Sequence, residues 1–75
     1  MRVEIKRCFM RADIKAQAVS LKESIEQQLK IPTSIKWGGP GSLDVWLDGA
    51  RIFSKKQEGR LPQSGEIIRL IQAKA

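Results

Sequence analysis

The chain has 75 residues, 41% apolar and 29% charged, with three prolines and a formal net charge of +6. Such a composition excludes a disordered or fibrous chain and fits one small globular domain, which buries only about 60% of its unfolded surface. One cysteine and no histidine exclude an intrachain disulfide and the metal-ligand spacing of a zinc site, so no bound cofactor is expected.

Val3 and Ile5 alternate with Glu4 and Lys6, the period of a short half-buried strand. The lone Cys8 follows, where this strand hands over to a helical pattern. Ile14, Ala18, Leu21, Ile25 and Leu29 recur at spacings of three and four in a stretch that runs to Lys30. The first turn begins between Phe9 and Asp13, and Pro32 stops the helix because proline lacks the N–H that continues it. Ile35 and Trp37 alternate with Ser34 and Lys36 in a second strand. Gly38-Gly39-Pro40-Gly41-Ser42 is a loop by composition. It lacks the G-x-G-x-x-G spacing and no helix follows, so it is not a nucleotide motif.

Leu43, Val45 and Leu47 alternate with Asp44 and Trp46, and Asp48-Gly49 is a strong two-residue hairpin signal. Ala50 to Ser54 returns as a fourth strand, and Lys55 to Pro62 reads as loop. Ser64 caps a last helix with Glu66 in its first turn and Ile67, Leu70 and Ile71 toward the core. The expected class is α/β, in the order β-α-β-β-β-α, with two helices on one face of the sheet and solvent on the other. The first βαβ unit should be parallel and right-handed.

An Asp48-Gly49 turn in simple register pairs Leu47 with Ala50, Trp46 with Arg51, Val45 with Ile52 and Asp44 with Phe53. Leu47, Ala50, Val45 and Ile52 then face the core. Trp46 and Phe53 fall on the open face beside Glu4 and Lys6, with Trp46 positioned for a cation–π contact with Arg51. That pair of aromatics reads either as a homodimer or partner surface or as a plain cover for the sheet.

No apolar run approaches the roughly 18 residues of a membrane span. MRVEIKRCF alternates instead of forming a signal-peptide block, so the expected location is cytoplasmic. The charge is clustered. Residues 1–15 carry five basic and two acidic groups, and residues 51–60 carry four and one.

Two stretches resemble a known family. One is Val3-Glu4-Ile5-Lys6-Arg7-Cys8. The other runs from Leu43-Asp44-Val45-Trp46-Leu47-Asp48-Gly49 through Ile52-Phe53-Ser54-Lys55-Lys56 to Gly59 and Pro62. With the glycine-rich loop at 38–41 they resemble the selenoprotein W-like (Rdx; selenoprotein T/W/H) family. The resemblance covers nearly the whole chain. It implies a single thioredoxin-like domain over 1–75, with a four-stranded mixed sheet in the order 2-1-3-4. It also implies a Cys-x-x-Cys or Cys-x-x-selenocysteine redox motif after the first strand. Cys8-Phe9-Met10-Arg11 keeps the first thiol and has arginine in place of the second. Arg7 stands where the family often has an aromatic residue.

In a 2-1-3-4 sheet, the loops after strands one, two and four share an edge. The site expected there has Cys8 as its reactive group. Its binding residues are Arg7, Arg11, Lys55, Lys56 and Arg60, together with Gly38, Gly39 and Pro40 of the loop. Cations and a helix N-terminus both favour a thiolate, and the same groups can hold the carboxylates of glutathione. The plain alternative is a small buried thiol under Phe9 and Met10. Likewise the glycine loop either brings backbone close to Cys8, stiffened by Pro40, or is an ordinary connector. Three functions follow. The first is thiol redox through Cys8 alone, by a mixed disulfide with glutathione or a protein. The second is a non-catalytic binding module. The third, nucleic-acid binding, has charge in its favour but only four aromatics and no recognition motif.

Overall fold

Strand β1 (Val3–Arg7) opens the computed structural model, which describes residues 1–8 and 11–74. Val3 and Ile5 are fully buried beneath helix α1 (Ala12–Leu29). The helix forms because Ile14, Ala18, Leu21 and Ile25 stack on one face and bury completely. It ends at Lys30, which turns left-handed (φ 57) and donates its N–H to Glu26 O. Strand β2 (Thr33–Trp37) then runs parallel to β1, with Ile5 opposite Ile35.

Strands β3 (Leu43–Leu47) and β4 (Ala50–Ser54) form the hairpin, and β3 lies antiparallel to β1. Asp48 and Gly49 both take positive φ, 49° and 86°, as a type I′ turn requires. The turn is tied to the start of β1: Arg2 N–H donates to Asp48 Oδ1 and Asp48 N–H donates to Arg2 O. The sheet order is β2-β1-β3-β4, the expected arrangement. A short helix α2 (Lys55–Glu58) follows β4 directly, and α3 (Ser64–Lys74) closes the chain by packing on α1 and β4. Gln17 Nε2 donates to Pro62 O, fastening the approach to α3 onto α1.

Two expectations are corrected, one in the hairpin and one just after it. Leu47 does face Ala50 and Trp46 does face Arg51, but the register then shifts so that Val45 meets Phe53 and Asp44 meets Ser54. Ile52 is the extra residue of a β-bulge. Past a bulge each side chain changes face. Phe53 is therefore in the core, 6% exposed, while Ile52 is only partly buried and Ala50 is exposed. Burying the larger phenyl ring removes more apolar surface from water, by about 25 cal/mol per Å², and this offsets the broken ladder. The second correction concerns residues 55–62. They begin with a helical turn, because Ser54 accepts a hydrogen bond from Gln57 N–H and Gly59 N–H closes back on Lys55 O.

Candidate functional site around Cys8

The C-terminal end of β1 is where the sheet brings several loops together. Arg7 lies opposite Trp37 of β2 and Leu43 of β3, so β1 and β2 finish at the edge from which β3 starts. Cys8 N–H donates to Ser42 O at 2.8 Å, and Gly38 N–H donates to Arg7 O at 2.8 Å. The 38–42 loop is thus stitched to both sides of the cysteine's peptide, which resolves its role in favour of close approach. Within it, Ser42 N–H and Oγ–H both donate to Gly39 O, at 3.1 and 2.6 Å.

Gly38 is required by proximity. A Cβ there would lie 2.7 Å from Ser42 Oγ and 3.2 Å from both Arg7 N and Lys6 C. Gly39 has no such neighbour within 4 Å, and Pro40 sits in the turn that follows.

Cys8 itself is 3% exposed and belongs to the hydrophobic core. It stands four residues before Ala12, the first residue of α1, so it precedes the helix instead of occupying its first turn. The helix start is held by Arg11, extended at φ −115 and without a side-chain cap. Phe9 and Met10, expected to cover the thiol, lie outside the described residues.

The expected cations divide into two groups. Arg7 stays at the cysteine's backbone: one guanidinium nitrogen donates to Cys8 O at 3.4 Å, and the guanidinium lies 5.4 Å from the centre of the Trp37 ring. Its Nε is buried without a hydrogen-bond partner among the described residues. Arg11 instead grips Asp13 with two bonds, at 3.3 and 2.9 Å, both side chains about half exposed. That pair holds the Asp13 carboxyl below its ordinary value. Arg60 grips Glu66 with two bonds and covers Phe53 at 5.5 Å. Each member of that pair favours the other's charged form: Glu66 is pushed down and Arg60 up. Lys55 and Lys56 lie in α2, beyond β4. With β3 between, that strand is roughly 10 Å from β1.

Ser42 and Trp37 are the residues that sequence reasoning passed over. Ser42 is 5% exposed, and its carbonyl seats Cys8; a lone serine closing a glycine loop carries no such signal. Trp37 shares a face with Ile35 by alternation, yet it is 67% exposed because the sheet ends there.

On the helix-free face, Lys6 Nζ lies 4.7 Å from the centre of the Trp46 ring. This replaces the expected Arg51 contact, since Trp46 sits opposite Glu4 and diagonal to Lys6. Among the described residues, no group of three His, Cys, Asp or Glu side chains could hold a metal ion. No helix there is long and apolar enough to cross a membrane.

A sequence model of the Rdx family matches residues 2–73. The chain belongs to the Rdx family. No curated protein matches it. Two solved structures share its fold. One is a selenoprotein W-related protein from Vibrio cholerae, with a TM-score of 0.87 at 17% identity over 96% of this chain and 92% of that one. The other is a Bordetella parapertussis protein, with a TM-score of 0.87 at 13% identity over 99% and 96%. In this Rdx domain the family's first βα connection runs from Cys8, whose N–H is held by Ser42 O, to Arg11, whose side chain pairs with Asp13.

Proposed function

We propose that this Rdx-family domain acts in cytoplasmic thiol redox through Cys8 alone. The observation that carries the reading is the seat of the cysteine. It lies at the end of the central strand β1, in the loop joining β1 to α1, with its peptide held by Ser42 and with Arg7 beside it. The Cys8 thiolate attacks one sulfur of oxidised glutathione. The Cys8–glutathione bond forms as the glutathione disulfide breaks, and the second glutathione leaves as a thiolate that takes up a proton. An outside thiol then attacks the mixed disulfide and regenerates Cys8. In this reading Arg7, beside the cysteine, receives a glutathione carboxylate, and Lys55 and Lys56 add positive charge farther along the same end of the sheet.

Mass spectrometry after exposure to oxidised glutathione tests this. One added glutathione on the folded protein, and fast alkylation of Cys8 at pH 6, are the expected results. A second reading rests on the 3% exposure of Cys8: a non-catalytic binding module with a core thiol. In that case the folded protein stays unmodified, and alkylation follows global unfolding, rising with denaturant.

A further inference from the structure

Beside the bulge at Ile52, a cleft of about 220 Å³ lies between β4, α2 and α3. Pockets for cofactor-sized ligands start at about 300 Å³, so this one has room for a single small molecule. Its apolar wall is Ile52 and Leu70, both partly buried, with the core ring of Phe53. Its charged residues are Arg51, Glu58 and Glu66. Arg60 grips Glu66 with two bonds, so that charge is balanced from within the chain. Arg51 and Glu58 are both exposed, and among the described residues neither forms an ion pair, with the other or with a third group. Arg60 feels Glu58 only as a nearby charge. A backbone edge lies alongside. Leu47 and Ala50 close the two-residue turn as a hydrogen-bonded pair, so the next pair, Trp46 and Arg51, is the non-hydrogen-bonded kind. The N–H and C=O of Arg51 therefore turn away from β3, and among the described residues no loop or helix backbone takes either group.

We propose that this cleft binds a free aliphatic α-amino acid. The ligand carboxylate lies on the Arg51 guanidinium, its ammonium on the Glu58 carboxylate, and its side chain against Ile52 and Leu70. The site is separate from Cys8, and the inference is independent of the thiol chemistry. The charges select the occupant. With Glu66 balanced by Arg60, the cleft presents one unpaired cation and one unpaired anion. A plain anion would meet Arg51 but also face Glu58. A plain cation, such as a lysine side chain of a partner protein, would meet Glu58 but also face Arg51. A ligand that carries both charges on one carbon is matched at both, and each mismatch counts against its rivals. The outward N–H and C=O of Arg51 suit the same two groups, the N–H donating to the carboxylate and the C=O accepting from the ammonium. Contacts are few and both charged side chains are exposed, so affinity lies in the millimolar range.

Titration of the isotope-labelled full chain with L-leucine, followed by its amide resonances, is the test. The shifts should saturate and centre on Arg51, Glu58 and Leu70. N-acetyl-L-leucine lacks the ammonium and L-leucinamide lacks the carboxylate, and each should bind about fivefold more weakly than leucine. Arg51→Gln and Glu58→Gln should each weaken leucine by a similar factor, with the thermal midpoint held because neither side chain is paired in the fold. In Arg51→Gln, leucine and leucinamide should bind alike, an outcome that a merely structural arginine would not produce. Leucine that gives no saturable shifts at tens of millimolar overturns the proposal. Leucinamide that binds the parent as tightly as leucine overturns it as well, by making the cleft a seat for basic groups, and N-acetyl-L-leucine that does so overturns it by making the cleft a plain anion site.

Discussion

Gly38 lies backbone to backbone against Arg7, its N–H donating to the Arg7 carbonyl at 2.8 Å while the space for a side chain is filled by Ser42 Oγ and the β1 chain. Because two of the three close neighbours are backbone, a methyl group there must move the loop. Gly38→Ala should destabilise the domain by about 1–3 kcal/mol, read by urea unfolding, and should perturb the Cys8 amide resonance through the Ser42 bond. Gly39→Ala, with open space around it, should cost much less; equal losses would contradict the close-approach account.

The bulge predicts an order of costs on β4. Phe53→Ala removes a core ring that is 6% exposed and should cost about 3–5 kcal/mol. Ile52→Ala, at a partly buried position, should cost distinctly less. In a simple hairpin register the order would reverse, so equilibrium unfolding of the two variants decides between them.

Lys30 holds a left-handed conformation that favours glycine, with φ at 57°. Lys30→Gly relieves the strain around Cβ, and the helix-closing N–H bond to Glu26 remains. The expected gain is about 0.5–1 kcal/mol, measured as a raised thermal midpoint.

Acid should weaken the fold through three paired carboxylates. Arg60 holds Glu66 below its ordinary 4.5, Lys22 and the Thr33 N–H do so for Glu26, and Arg11 holds Asp13 below 3.8. Each folded value lies below the unfolded one. Their contribution is therefore complete above about pH 5 and is lost as pH falls through the folded values. Glu66→Gln should flatten part of that acid limb, and salt should shrink the difference, because these groups are partly exposed. An unchanged pH profile in the variant would show the Arg60 pair to be inert.

Arg11→Cys places a second sulfur three residues beyond Cys8 and removes the Asp13 pair. If the first βα connection keeps its redox geometry, mild oxidation should form an intramolecular disulfide, seen as a loss of two mass units. Disulfide reductase activity absent from the parent should accompany it. A folded variant that stays in the dithiol form would favour the binding-module reading.

Much of this architecture was legible because its signals are local. Val3, Ile5, Leu43, Val45 and Leu47 alternate, Ile14 to Ile25 follow the helical period, and Asp48-Gly49 demands the positive φ that both residues adopt. The Gly38–Ser42 loop was placed beside Cys8 once the resemblance supplied the sheet order. Alternation alone puts Phe53 on the open face, because it carries no sign of the bulge that turns the ring into the core. The pairs of Arg11 with Asp13 and of Arg60 with Glu66 were not legible, because a sequence shows charges without showing which acids they reach.

The amino-acid sequence by itself determined the element order, the hairpin and the apolar stripe of α1, since each depends on neighbours a few residues apart. It also determined that Cys8 has no second thiol to pair with. Only the tertiary structure decided that Ser42 seats Cys8, that Phe53 displaces Ile52 from the core, and that Glu66 claims Arg60. Those outcomes turn on competition for one volume or one charge among residues distant in the chain, and that competition exists only once the sheet and helices have packed.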